Sequence, residues 1–220
     1  MKSTCIALLL LLPVVSVAFA QEAVITELSG TVEIKKPDSA AWENAVLGQA
    51  ITGEAIISTG FKSFAVISIG DSLINVRPLT RLSLTEISAQ AGIETINAGL
   101  QAGRVQLDVK APAGSKSIYT ISTVPAVAST RGTIFEITLF ELWVIEGSIE
   151  YKGSFGVPLL IDQRGYSYID RKTERAVSPR ETLLAALYPD MPIASEIFNT
   201  FKTDAAHNND LNVTGLIHYE

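Results

Sequence analysis

The sequence predicts an all-β protein with a short helical appendage near its C-terminal end. Three observations carry that expectation. From Val24 to about Asp170 the chain is a succession of short runs rich in Val, Ile, Thr, Tyr and Phe. Gly, Pro, Asp and Asn interrupt these runs roughly every 8–12 residues, the spacing of strands joined by turns. A local pattern also recurs: Gly30-Thr-Val32-Glu-Ile34, Gly103-Arg-Val105-Gln-Leu107 and Gly147-Ser-Ile149-Glu-Tyr151 all read Gly-x-[Val/Ile]-[Glu/Gln]-apolar. In each run the apolar residues alternate with the polar one, so a strand is expected to leave a similar turn after each glycine. The glycines are unequally spaced, which argues against a regular solenoid and leaves room for an irregular stacked coil.

The first twenty residues are expected to be a leader rather than part of the fold. Met1-Lys2 gives a basic start, Ile6 to Val17 is almost wholly apolar, and Ala18-Phe19-Ala20 supplies small residues for cleavage. These are the three parts of a secretory signal peptide. The apolar run is shorter than the roughly 20 residues that span a bilayer. Cys5 precedes the apolar run instead of following it, so it is not placed as a lipid-modified cysteine. Loss of the leader would remove the only cysteine, and with it any disulfide, thiol nucleophile or thiolate metal site. The expected product is exported, periplasmic or extracellular, with no transmembrane segment left.

Strands are then expected at Val24-Ile25, Thr31–Ile34, Ile56–Ser58, Phe64–Ile69, Ile74–Val76, Leu82–Ile87, Arg104–Val109 and Tyr119–Ser122. More follow at Thr133–Leu139, Trp143–Ile145, Ile149–Tyr151, Leu159–Ile161 and Tyr166–Ile169. Phe64–Ile69 is apolar at nearly every position, as a strand covered on both faces would be. The β domain is taken as residues 21–170, and 171–220 as a helical appendage with a polar tail. Within that appendage Ser178-Pro179-Arg180-Glu181 is a capping box with proline at the first helical position. Leu183, Leu184 and Leu187 give the helix one apolar stripe, which predicts that it docks over an open end of the strands. Pro192 opens a second short helical pattern through Ile197 and Phe201.

The most informative motif is Val127-Ala-Ser-Thr-Arg131-Gly132-Thr133-Ile-Phe135-Glu-Ile137. Two strand-like runs meet at an Arg-Gly-Thr corner. A positive φ is expected at Gly132, where a side chain would be strained. Arg131 is expected to staple carbonyls at the corner, or else to clamp an anionic ligand. This motif resembles the signature of the FecR-type extracytoplasmic domain. Other fragments follow in the family's order. Trp42 precedes a glycine-rich run through Gly48, Gly53-Glu54 and Thr59-Gly60, with Glu54 where aspartate is more usual. Phe64–Ile69 runs into Gly70-Asp71-Ser72, an altered order of the family's turn, and Leu100–Val105 and Glu146-Gly147 complete the match. The resemblance covers about Val24 to Asp170. It implies an all-β domain built as a stacked, right-handed, solenoid-like (β-helix-like) coil; strand count alone leaves a β-sandwich as the alternative. It implies mainly structural roles for Arg131, Gly132, Thr133, Phe135, Gly53, Gly60 and Asp71. The sigma regulators of the family carry a cytoplasmic part and a membrane helix that have no counterpart here, so their regulatory role does not transfer with the domain.

Several chemistries are disfavoured by residue supply. Seventeen Lys+Arg against 23 Asp+Glu gives −6, and removal of Lys2 takes it to −7. An acidic chain is a poor nucleic-acid partner, since phosphate binding needs a concentrated basic face. The only histidines, His207 and His218, lie in the polar tail, far from any serine motif. No metal or other cofactor is expected. Glu33, Glu54, Asp71, Glu136 and Glu150 could furnish a carboxylate pair, but most fall on the outward phase of strands or in turns. Asp71 is expected to close its own turn. Arg171, Lys172, Arg175 and Arg180 form a basic cluster diluted by Glu174 and Glu181. Trp143 is expected to pack on a strand. Trp42, before a glycine-rich turn, could pack at an edge or stack on a sugar. With Arg131 it is the expected ligand contact. The resulting expectation is a non-enzymatic binding or assembly module whose partner is an envelope protein or glycan. The alternative is a polysaccharide-active enzyme using paired carboxylates.

Overall fold

The computed structural model describes residues 22–51, 53–90, 93–110 and 116–187. The expected leader, the second helical pattern and the tail with both histidines lie outside the described residues. In chain order the strands are β1 (Ala23–Ser29), β2 (Val32–Lys35), β3 (Glu43–Asn44), β4 (Ala50–Ile51), β5 (Ala55–Thr59) and β6 (Phe64–Ile69). Then come β7 (Ser72–Val76), β8 (Arg81–Gln90), β9 (Ile93–Ala102), β10 (Arg104–Asp108), β11 (Lys116–Ser122) and β12 (Ala126–Thr130). Last are β13 (Thr133–Thr138), β14 (Glu141–Gly153), β15 (Leu159–Asp162), β16 (Tyr166–Ile169), β17 (Ala176–Val177) and one helix, α1 (Pro179–Leu187).

Strand pairing sorts into two series. Series A runs β4–β1–β6–β7–β10–β13–β14–β16–β17. Series B runs β3–β2–β5–β8–β9–β11–β12–β14–β15. The first half of β14 belongs to A and its second half to B, so the strands form one open hydrogen-bonded sheet. Apart from the short β3 and β4, chain order advances steadily along both series. Every ladder is antiparallel except β9–β11. A coil of β-helix type stacks its strands in parallel. What the sheet shares with the expected coil is therefore the steady advance, not the strand direction.

Alternation explains the core. Along β5, β7 and β13 every second residue is buried. Ile25, Ile67, Val76, Leu107, Phe135 and Ile137 from series A join Ile34, Ile57, Leu84, Ile96, Tyr119 and Ile121 from series B in one hydrophobic cluster. Each such side chain, fully buried, contributes about 1.5–3 kcal/mol. In β6, Ala65, Ile67 and Ile69 point into this cluster; on the other face Val66 is also buried but Phe64 stays 41% exposed, so the expected cover on both faces is only partial.

The recurring glycines mark crossings between the series. Gly30, Gly103 and Gly147 all have positive φ (74°, 82° and 84°). Gly30 links β1 to β2, Gly103 links β9 to β10, and Gly147 is where β14 passes from A to B. Each abuts a buried hydroxyl residue: Ser63, Thr80 and Thr133 respectively. The hydroxyls knit the crossings. Thr31 N–H donates to Ser63 Oγ (2.8 Å), Arg104 N–H donates to Thr80 Oγ1 (3.0 Å), and Thr133 Oγ1 donates to the Ser148 carbonyl (2.6 Å). The shared turn inferred from sequence is thus a positive-φ glycine seated on a hydroxyl.

Helix α1 starts at Pro179, as the capping pattern predicts. Its expected docking face does not form through Leu183 and Leu187, which remain 60% and 61% exposed.

Candidate functional site

The outward positions of series A are not a uniform polar face. With Val105, Leu107, Phe135, Ile137, Leu142, Val144 and Ile169 turned inward, the intervening residues must face out. Register then sets Asn75 beside Gln106, Gln106 beside Glu136, Glu136 beside Trp143, and Trp143 beside Tyr166. This row crosses five adjacent strands. Next to it Glu141 pairs with Tyr168. The polar half of the row lies on β7, β10 and β13; the aromatic half lies on β14 and β16.

The aromatic half is a continuous platform. The Trp143 and Tyr166 ring centroids are 5.3 Å apart, and those of Tyr166 and Tyr168 are 6.1 Å apart, with tilts of 35° and 31°. All three are half-buried. The Tyr166 hydroxyl donates to Glu141 Oε1 (3.1 Å). Burial, followed by the Glu141 carboxylate, raises the Tyr166 phenol above its ordinary pKa, so it remains a donor at neutral pH. A groove of ≈ 450 Å³ opens beside the platform, lined by Phe140, Glu141, Tyr166, Tyr168 and Arg171 among others. The Arg171 guanidinium lies 4.4 Å from the Phe140 ring centroid. Asp170 fixes the turn behind it by accepting the backbone N–H groups of Lys172 (2.8 Å) and Thr173 (2.9 Å). Those bonds, Thr173 first, hold the Asp170 carboxyl below its ordinary pKa.

A second groove, ≈ 580 Å³, shares Thr138 with the first and is lined by Arg77, Leu79, Arg104 and Glu136. Glu136 Oε1 is 3.0 Å from Arg104 Nη1, its Oε2 is 3.8 Å from Arg77 Nε, and Arg77 Nη2 donates to Gln106 Oε1 (2.6 Å). Of the five carboxylates considered for a hydrolytic pair, only Glu136 lines either groove.

The residues singled out by sequence are placed elsewhere. Arg131 is exposed, and its guanidinium makes no hydrogen bond among the described residues. Gly132 does not have the positive φ expected of it, and an added Cβ there would meet nothing within 4 Å. The corner is instead organised by threonines: Thr130 Oγ1 and Thr133 Oγ1 are 2.5 Å apart, and the Gly132 N–H donates to Thr130 Oγ1 (3.3 Å). Phe135 is fully buried in the core. At Gly53-Glu54 the left-handed residue is Glu54 (φ 68°), and after Gly60 it is Lys62 (φ 54°). Asp71 sits exposed in the β6–β7 turn, while Ser72 bonds the Lys110 backbone. Trp42 is 36% exposed, with the Arg81 guanidinium 5.4 Å from its ring centroid, and lines neither groove. Arg171, Lys172, Arg175 and Arg180 are all exposed.

One buried acid escaped the sequence reading. Glu94 points inward from β9 and is 4% exposed. Ser117 Oγ donates to its Oε2 (2.7 Å), while the buried Glu94 Oε1 and Tyr119 hydroxyl find no partner among the described residues. Burial raises the pKa of Glu94, with a smaller contribution from the Asp71 charge. Among the described residues no set of three His, Cys, Asp or Glu side chains could hold a metal ion, and no helix is long and apolar enough to cross a membrane.

No protein-family model matches the chain, and no curated protein matches it. Among solved structures it is similar to two of candidate anti-sigma factors from Parabacteroides distasonis. One has 13% identity and a TM-score of 0.46 over 68% of this chain and 74% of the other. The second has 12% identity and a TM-score of 0.45 over 60% of this chain, which spans 63% of that neighbour's length. Likeness at this level carries no argument about a ligand.

Proposed function

We propose that this chain is an exported, non-enzymatic binding module of the bacterial envelope, and that series A presents a glycan to the platform of Trp143, Tyr166 and Tyr168. The platform is the observation that carries the reading. Three contiguous rings on an uncovered strand face offer an apolar surface for the C–H face of a pyranose. Glu141 and Arg171 beside it supply an acceptor and a fork of donors for the hydroxyl rim. Trp143, rather than Trp42, is the stacking residue. The scaffold we infer is the stacked advance that the FecR resemblance implies, built here from antiparallel strands, and the leader is the export signal.

Hydrolysis by a carboxylate pair would require two carboxyl groups roughly 5–10 Å apart across a cleft. Glu136 is tied to Arg77 and Arg104, Glu141 accepts from Tyr166, and Asp170 accepts the Lys172 and Thr173 N–H groups, so each of the three carboxylates lining the grooves is already engaged. The test is retention of the purified protein on insoluble cell-wall glycan. Trp143→Ala and Tyr168→Ala should each weaken retention by about tenfold, the loss of one stacking contact of 1–2 kcal/mol. Retention unchanged in both variants, or release of sugar from the glycan, would refute the reading.

A further inference from the structure

The turns that end β5, β7, β9 and β13 lie along one edge of the sheet. Leu79 N–H donates to the Gly60 carbonyl (3.2 Å), Thr80 Oγ1 to the Arg104 carbonyl (3.0 Å), and Leu79, Arg104 and Thr138 line one groove. On this edge Phe61 is 74% exposed and Leu79 is 60% exposed. Leu79 moreover adopts a left-handed conformation (φ 56°), which is strained for a leucine. A polar residue or glycine would serve the turn better, so neither the turn nor the core accounts for an exposed leucine there.

The charges around these tips are one-sided at the surface. Lys62, Arg77 and Arg104 are exposed, whereas Glu136, the one carboxylate lining this groove and shared by Arg77 and Arg104, is set lower, so positive charge is in excess at the tips. This contrasts with the chain's net −6. The geometry points to this edge as a membrane-docking surface: Phe61 and Leu79 enter the interfacial layer, and Lys62, Arg77 and Arg104 meet anionic lipid headgroups. Two protruding apolar tips ringed by basic side chains suit a lipid interface, where insertion and headgroup attraction add. A protein interface would more often centre its anchors in a packed patch under a polar rim. The edge is separate from the aromatic platform, so a lipid-held module would keep that face open to its ligand.

Cosedimentation of the purified protein with phosphatidylcholine vesicles, with and without about one-third phosphatidylglycerol, tests this. Binding should require the anionic lipid and weaken as salt rises. Phe61→Ser with Leu79→Asn should lower vesicle binding at least tenfold. Leu79→Asn alone should leave the melting temperature unchanged or raised, because asparagine tolerates the left-handed region. Trp143→Ala should keep full vesicle binding, which separates this proposal from the glycan reading. No sedimentation with anionic vesicles, or equal sedimentation of the double variant, would overturn it. So would an envelope protein captured by the wild type and lost with the double variant while vesicles are ignored.

Discussion

Gly103 and Gly147 show where a single side chain cannot be added. A Cβ on Gly103 would lie 2.5 Å from the Leu79 carbonyl oxygen, and one on Gly147 would lie 2.7 Å from that of Gly132. Both glycines also hold left-handed backbone. Gly103→Ala and Gly147→Ala should each destabilise by more than about 1 kcal/mol, read as a lower melting temperature. Gly132→Ala should leave the melting temperature unchanged, since space and φ both permit it. The sequence pattern correctly grouped Gly30, Gly103 and Gly147. It misjudged Gly132 because an Arg-Gly-Thr corner looks the same whether threonine hydroxyls or a positive φ make the turn. Glu94 carries a pH signature. Its folded pKa is raised above the ordinary carboxyl value, so the folded state takes up its proton more readily than the unfolded chain. Its contribution is most favourable below the ordinary carboxyl range and is lost as pH rises through the raised value. Glu94→Gln should therefore gain stability relative to wild type between pH 4 and pH 7.5, seen by comparing the two melting temperatures at each pH. A difference independent of pH would show that Glu94 titrates normally.

At the scale of elements, the crossing from β9 to β10 depends on one hydroxyl. Thr80 is 1% exposed; its Oγ1 accepts the Arg104 N–H and donates to the Arg104 carbonyl. Thr80→Val keeps the shape and removes the partner of the buried Arg104 N–H, while the Arg104 carbonyl keeps the Arg77 N–H (3.1 Å), a cost of about 1–3 kcal/mol in denaturant unfolding. Thr85→Val, whose hydroxyl is exposed, should change stability by under about 0.5 kcal/mol. Most strands were legible because β-branched, apolar runs are bounded by turns, as in Phe64–Ile69, which matches β6 residue for residue. β9 was missed. Glu94 sits at an inward position and Asn97, Gly99 and Gln101 occupy the outward ones, so its apolar residues are too sparse to read as a strand. Trp143–Ile145 and Ile149–Tyr151 read as two strands, but Gly147 lets one continuous β14 serve both series. The start of α1 was legible from Ser178 and Pro179; its docking was not, because Leu183 and Leu187 face solvent.

At the scale of the molecule, the site arises from register, which is why it was least legible. Trp143, Tyr166 and Tyr168 lie on strands whose pairing a single sequence does not reveal, and Glu136 and Arg104 meet only because β10 lies beside β13. Trp42 looked more accessible because it stands among glycines, yet its ring meets the Arg81 guanidinium, whereas Trp143 adjoins the Tyr166 ring and, through it, that of Tyr168. The all-β class was readable from the succession of β-branched runs and turns; the face proposed to bind was not. The chain has two tryptophans, which allows a direct test. In a Trp42→Phe variant all tryptophan emission comes from Trp143, and in Trp143→Phe all of it comes from Trp42. Titration of both variants with soluble cell-wall glycan fragments should produce a saturable change in emission only where Trp143 remains. A change confined to the variant that keeps Trp42, or none in either, would contradict the assignment of the series A aromatic face as the binding surface.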